Sequence, residues 1–193
     1  SHSMKAYFVS DVHLGLRVGD PAERERRFAG FLRSLPEDTG ALYLLGDIWD
    51  FWYEYHDVVP KGYIRVFSAL QDLMDRGVKV YFFQGNHDVW TYSYFEELGM
   101  KRLVQPAVVD IAGRKFCLGH GDGLGAAVVI EGQPQCGPIK GHADGIADGD
   151  IFGIALRAVF RHGNRIAPDA DPAVYISHKH SPVGHFSLSY DKS

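Results

Sequence analysis

The sequence predicts an α/β fold, and three observations carry the prediction. Short β-favouring runs alternate with stretches of helical period, beginning with a strand–helix–strand unit that implies parallel strands and a right-handed crossover. The apolar run Ala41–Leu45 stops at Gly46 and Asp47 follows at once, the way an open α/β sheet presents a ligand group at a strand tip. Four strands or near-strands end beside a potential ligating side chain, three of them at a glycine (Gly46, Gly85 and Gly119), the pattern of a site assembled at one edge of a sheet.

The first strand is Lys5–Val9, followed directly by Ser10-Asp11-Val12-His13. Asp11 and His13 are two residues apart, so an extended backbone points both side chains the same way. Such a pair is either an ordinary polar turn or a carboxylate and an imidazole gripping one metal ion. Asp20-Pro21-Ala22-Glu23 starts a helix with an N-cap acid and proline in the first turn. Phe28, Phe31, Leu32 and Leu35 form its core face, and Arg24, Arg26 and Arg27 are expected on the solvated side. Pro36 to Gly40 breaks the helix before Ala41–Leu45.

After Asp47 come Trp49, Phe51, Trp52, Tyr53 and Tyr55, which either pack down as a local core or wall a site for an apolar or ring-bearing substrate. Asp50 is placed to hold a neighbouring histidine in orientation. Gly62–Arg76 reads as a helix through Ile64, Phe67, Leu70, Leu73 and Met74, ended by Gly77. The third strand, Val78–Phe83, leads into Gln84-Gly85-Asn86-His87-Asp88: Asn86 offers a neutral carbonyl oxygen to a metal, and His87 lies next to it. Trp90–Leu98 reads as a short helix closed by Gly99. Ala107–Ile111 and Lys115–Leu118 flank Ala112-Gly113-Arg114 as a hairpin, whose second strand runs into Gly119-His120-Gly121-Asp122.

Residues 126–171 are rich in Gly, Ala, Asp and Pro, with Ile151–Phe160 expected to be helical. Ala173–Ile176 reads as a last strand, followed by His178-Lys179-His180 in alternation; Gly141-His142 and Gly184-His185 are rival donors, and His162 is expected to face solvent.

The whole chain of 193 residues, 46% hydrophobic, suits one domain over residues 4–193, with Ser1-His2-Ser3 read as a tag remnant. No run is long and apolar enough to suggest a membrane span or secretory signal. Two cysteines, Cys117 and Cys136, form no disulfide framework and point to the cytoplasm. A net charge of −4 argues against bulk nucleic-acid binding.

Taken together, Asp11-x-His13, Gly46-Asp47-x-x-Asp50, Gly85-Asn86-His87-Asp88, Gly119-His120 and His178-x-His180 resemble the calcineurin-like binuclear metallophosphoesterases, in order and spacing over residues 5–122. Within that family, residues 43–52 and 120–125 are similar to the UDP-2,3-diacylglucosamine pyrophosphatases of lipid A synthesis. The run Asp50–Tyr55 with Val59–Tyr63 is similar to their Bacteroidetes-type members.

The resemblance implies a metallophosphoesterase-type β-sandwich flanked by helices, with a metal site at the C-terminal strand ends. It implies two divalent metal ions: one between Asp11, His13, Asp47 and His180, the other between Asp47, Asn86, His120 and His178. These oxygen and imidazole donors suit Mn²⁺ first, with Zn²⁺ or Fe acceptable. His87 is expected to stabilise phosphoryl charge or protonate the leaving group, with Asp50 supporting the chemistry. Trp52 and Arg157 are expected at the substrate, Arg157 within a stretch, Leu156–Arg161, similar to a lid helix.

The implied activity is hydrolysis of the pyrophosphate bond of UDP-2,3-diacylglucosamine at the inner face of the membrane, by peripheral contact through the aromatic run and Arg24, Arg26 and Arg27. The alternatives are another dimetal phosphodiesterase acting on nucleotides or nucleic acid, and an inactive scaffold of the same fold. Three features depart from the family pattern. His87 stands where many of these pyrophosphatases carry arginine, and Ser177 stands where the last motif begins with glycine. The segment after Gly125 is short and polar for a lid, as a divergent, truncated or frame-shifted C-terminus would be.

Overall fold

The computed structural model describes residues 3–83, 90–111, 114–120, 127–131, 157–160, 174–175 and 185–191. The first strand, β1 (Ser3–Val9), leads through α1 (Pro21–Ser34) to β2 (Thr39–Leu44), and α2 (Ile64–Asp75) leads to β3 (Lys79–Phe82). A short α3 (Tyr94–Glu97) and β4 (Lys101–Arg102) follow, then the hairpin of β5 (Ala107–Ile111) and β6 (Arg114–His120). The later strands are β7 (Ala127–Glu131), β8 (Arg157–Phe160), β9 (Val174–Tyr175) and β10 (His185–Asp191).

These strands form two sheets, one of order β4-β3-β2-β1-β10-β9 and one of order β5-β6-β7-β8. β1 to β4 run parallel, as the strand–helix–strand reading requires, and β10 joins β1 antiparallel. The first sheet is apolar on both faces because it is covered on both. Tyr7, Val9, Leu42, Leu44, Val80 and Phe82 join Phe28, Leu32, Leu70 and Leu73 of the helices in one core. Ala6, Phe8, Ala41, Tyr43 and Phe83 join Ile111, Phe116 and Leu118 of the second sheet in another. The second core is thus the filling of a β-sandwich, and the helices close its outer side. On the inter-sheet face Phe8 stacks on Tyr43 at 5.0 Å and Tyr43 on Tyr81 at 4.7 Å, rings at paired positions on three neighbouring strands.

Local chemistry explains the helix boundaries. Asp20 Oδ1 accepts hydrogen bonds from the amides of Ala22 and Glu23 at 3.0 and 3.1 Å, a cap worth about 1 kcal/mol. Gly77 ends α2 at φ 90°, in the left-handed region that glycine enters without strain.

Several expectations are corrected. Arg24 is not on the solvated side: it is 2% exposed, whereas Arg26 is exposed. The helix expected over Ile151–Phe160 fails at residues 157–160, which pair parallel with β7 as β8. A short apolar run cannot be told from a strand by periodicity, and an open edge of β7 decides it. The helix expected over Trp90–Leu98 is confined to Tyr94–Glu97, because Trp90 forms a β-bridge with Tyr53. The sequence motifs predict no strand at β4, β7 or β10. Among the described residues, no helix is long and apolar enough to cross a membrane.

Candidate metal centre

Beyond the tips of β1 and β2 the two chains continue side by side. The amide of Leu45 donates to Val9 O, Asp11 N to Gly46 O, His13 N to Asp47 O, Leu14 N to Ile48 O and Asp50 N to Leu14 O, at 2.7–3.1 Å. This extended ladder fixes the backbone of both loops against each other, so the side chains they carry meet without a search. Asp11, His13 and Asp47 each offer a ligand atom, and these atoms all lie within 4.8 Å of one another.

The backbone by which they meet differs from the sequence expectation. Asp11, His13 and Asp47 lie in the left-handed region, at φ 56°, 52° and 51°. The pair therefore does not converge by strand alternation; each ligand is turned inward by its own backbone. Aspartate and histidine enter this region more readily than most residues, and strain of this kind gathers at functional sites.

Asp11 and Asp47 are 7% and 5% exposed. Two buried carboxylates gathered with an imidazole repel each other unless positive charge offsets them. Oxygen and nitrogen donors at this spacing suit a divalent cation, so the residues fit the group. His13 Nδ1 lies 3.3 Å from Asp50 Oδ1, and its Nε2 lies 3.6 Å from Asp11 Oδ1. Asp50 thus holds one ring nitrogen while the other faces the carboxylates, the arrangement that orients a ligating imidazole. Bonding to Asp11 raises the His13 pKa above its ordinary value of 6.5 against the opposing effect of burial, and the charges of Asp11, Asp47 and Asp50 add to the rise.

Other expected residues fall differently. β6 ends at His120, and Arg157 opens β8. Asn86, His87, His178 and His180 lie outside the described residues, as do Asp88, His142 and His162; His185 opens β10, opposite Val9. The expectation that Trp52 contacts substrate is corrected: it is 0% exposed, packed among Trp49, Phe67, Tyr94 and Phe95. A ring enclosed on all sides has no face for a ligand. The aromatic run divides by exposure, with Trp49 and Trp52 in the core and Phe51, Tyr53 and Tyr55 on the surface, where Tyr53 lies against the exposed Trp90.

Two residues that support these loops escaped the sequence reading. Arg24 reaches from the first turns of α1 to donate to Leu16 O at 2.7 Å and Val18 O at 2.8 Å, holding the loop that leaves His13. Glu54 is buried and accepts a hydrogen bond from Trp52 Nε1 at 2.9 Å. Nothing in their spacing marks them, because most of their partners are backbone groups.

The calcineurin-like phosphoesterase family model matches residues 4–190. The chain is similar to a UDP-2,3-diacylglucosamine hydrolase of Porphyromonas gingivalis, 43% identical over 120 residues, which are 61% of this chain and 46% of that protein. It is also similar to one of Yersinia pseudotuberculosis, 38% identical over 125 residues, 63% of this chain and 49% of that protein. It therefore spans about half the length of these relatives. A crystal structure of Pseudomonas putida nuclease MPE is similar at a TM-score of 0.38 and 21% identity, covering 69% of this chain and 56% of that one. With the family model spanning nearly all of its length, over a two-sheet α/β sandwich and a carboxylate–imidazole group at the tips of its parallel strands, the chain belongs to the calcineurin-like phosphoesterase family.

Proposed function

We propose that this protein hydrolyses the pyrophosphate bond of UDP-2,3-diacylglucosamine, giving UMP and 2,3-diacylglucosamine 1-phosphate. The observation that carries the reading is the Asp11–His13–Asp47 group, two buried carboxylates and an oriented imidazole at adjacent strand tips. The relatives' shared name supplies the substrate.

In this reading Asp11, His13, Asp47 and His180 hold one cation, and Asp47, Asn86, His120 and His178 hold the other, with Mn²⁺ the preferred ion. When bound, the cations supply Lewis-acid charge that activates water and offsets the negative charge of phosphoryl oxygens. Asp50 keeps the His13 ring in its ligating orientation through Nδ1. His87 holds a proton for the leaving phosphate oxygen, and Arg157 contacts the substrate. The exposed rings of Phe51, Tyr53, Tyr55, Trp90 and Tyr92 suit an acylated substrate better than a purely polar one, and with Arg26 they favour peripheral contact at the cytoplasmic face of a membrane.

The purified protein is assayed with Mn²⁺ against UDP-2,3-diacylglucosamine and bis-p-nitrophenyl phosphate. Release of UMP from the first supports the proposal, whereas turnover of the second alone would sink the lipid assignment. Fewer than two ions per chain with no turnover of either would favour an inactive scaffold. Co-sedimentation with anionic liposomes, weaker at high salt, tests the membrane contact.

A further inference from the structure

α1 and α2 pack side by side and leave an open groove of about 470 Å³ between them. On the α1 wall Arg26, Ala29, Gly30 and Arg33 fall on one stripe at helical spacing, two small residues between two long ones. Ile64, Arg65 and Ser68 of α2 form the other wall. The small residues keep the trough open, since a Cβ added to Gly30 meets nothing within 4 Å.

Three of the lining residues are arginines and none is acidic. Arg33 is held across the groove, donating to Asp72 Oδ2 and, at 3.1 Å, to Ser68 Oγ, both on α2. Arg26 leans back on Glu23 of its own helix at 2.8 Å, with Asp20 at 4.0 Å. Arg65 pairs with no acid among the described residues. The side chains of Glu23 and Asp72 are 52% and 58% exposed, so these pairs sit in water, where they contribute little and yield to a competing anion. Apolar surface adjoins the charge: Ile64, the first residue of α2, is 76% exposed, and Val18, just before α1, is 69% exposed.

A groove of this kind discriminates among anions. Its donors, the three guanidinium groups and the Ser68 hydroxyl, are all exposed, so a single free phosphate meets only screened charge. An anionic bilayer presents many phosphates beside glycerol and acyl groups, and several arginines and an exposed isoleucine then act at once. The whole chain carries −4, so attraction to such a surface has to be local.

We infer that the α1–α2 groove is a headgroup site for an anionic phospholipid, with Arg26, Arg33 and Arg65 toward the phosphate and Ile64 toward the glycerol and acyl region. The inference rests on the peripheral membrane contact proposed above and gives it a site apart from the aromatic run. Each helix returns from one parallel strand to the next, so the first turns of both lie at the edge where β1 and β2 end. A lipid held by Arg26 and Ile64, within the first two turns of their helices, brings that edge, and with it Asp11, His13 and Asp47, to the bilayer surface.

The test measures co-sedimentation of the full chain with vesicles of phosphatidylcholine alone or mixed in equal parts with phosphatidylglycerol. Wild type is compared with Arg33→Gln/Arg65→Gln, Gly30→Ala and Gly30→Glu, melting shows that each variant is folded, and glycerol phosphate serves as soluble competitor. Wild type should favour the phosphatidylglycerol vesicles at least tenfold at low salt and lose most of that preference at high salt. An arginine near an anionic surface contributes about fivefold, and Arg33 must also leave Asp72, so the double variant should bind about tenfold more weakly. Gly30→Ala adds a methyl in open space and should stay within threefold. Gly30→Glu places a carboxylate within helical reach of Arg26 and Arg33 and should bind at least tenfold more weakly, while better helix propensity keeps it folded.

Groove variants that bind phosphatidylglycerol vesicles as wild type does overturn the inference and leave the peripheral contact standing. Equal binding of wild type to both kinds of vesicle also overturns it, because the contact then needs no headgroup charge. Glycerol phosphate that occupies the groove as tightly as the vesicles do overturns the lipid as occupant. If wild type binds neither kind of vesicle, the peripheral contact itself fails, and the headgroup site with it. If Gly30→Glu does not fold, the double variant decides alone.

Discussion

Replacing Arg24 with methionine removes the guanidinium but keeps an unbranched apolar side chain in the space beneath the loop. Two charge-assisted hydrogen bonds disappear, to Leu16 O at 2.7 Å and Val18 O at 2.8 Å. Hydrogen bonds to a charged group contribute about 1.5–3 kcal/mol each. The two sites differ: Leu16 is half-buried and its carbonyl is left poorly solvated, whereas Val18 is 69% exposed and its carbonyl can be taken up by water. Removing a buried charge also returns part of its desolvation penalty. The expected net loss is about 2–3 kcal/mol, read as a fall of about 1–2 M in the urea midpoint with an unchanged m-value. Arg24→Lys recovers little, because one ammonium cannot fork to two diverging carbonyls. Leu16 N donates to His13 O at 3.1 Å, so the loosened loop reaches the site, and Mn²⁺ affinity should fall several-fold. A midpoint within about 0.3 M of wild type, together with unchanged Mn²⁺ affinity, would refute the claim that the buried guanidinium holds this loop.

Asp47→Asn should lower Mn²⁺ affinity at least tenfold yet leave the melting temperature of the metal-stripped protein unchanged or raised, since asparagine accepts φ 51° and removes a buried charge. Asp47→Val adds about 1–2 kcal/mol of destabilisation in the same melt; equal melting temperatures for the two variants would argue against the left-handed backbone there. Gly15→Ala should destabilise by about 1–3 kcal/mol, because the residue sits at φ 89° and a Cβ would collide with the Tyr63 hydroxyl. Adding Tyr63→Phe should recover only the steric share, and a full recovery would show that the φ was not limiting. For His13, whose pKa is raised first by Asp11, the linkage runs in two directions. Its contribution to the stability of the metal-stripped protein is fully present below about 6.5 and is lost as pH rises through the higher folded value. Mn²⁺ binding strengthens over that same rise, because the proton leaves the ligand. Melting and Mn²⁺ titration across this range should give opposite slopes, both reduced in Asp11→Asn; slopes of one sign would count against the assignment.

The Asp11–His13–Asp47 group was legible because its signals are local. An apolar run, a glycine and then an acid places Asp47 at a strand tip whatever the rest of the chain does. The reading that Asp50 holds a histidine matches its 3.3 Å approach to His13 Nδ1. What the sequence hid depends on partners far along the chain. Arg24 reads as a surface residue on an amphipathic helix, and only the carbonyls of Leu16 and Val18 bring it inside. Glu54 stands between two exposed tyrosines, and its partners at Tyr92 and Tyr94 are backbone amides, which have no residue signature. Trp52 was misread for a related reason: an aromatic after a strand tip serves a core or a substrate equally well until its neighbours are known. Residues 157–160 form a strand only because β7 offers an edge, and strand pairing of that range is invisible to local periodicity.

The ring stack of Phe8, Tyr43 and Tyr81 bears on how the strands find their alignment. In most sheets a one-residue slip is forbidden because it turns a polar face inward. Here both faces of the first sheet are apolar, so polarity gives no such protection. Size does instead. A slip would set Phe8 against Leu42 or Leu44 rather than Tyr43 and break both stacked pairs. Asp11 lies only three residues beyond Phe8, and Asp47 four beyond Tyr43. The stack therefore acts as a gauge for the sheet: the rings between the two sheets decide which two acids come to rest side by side at its edge.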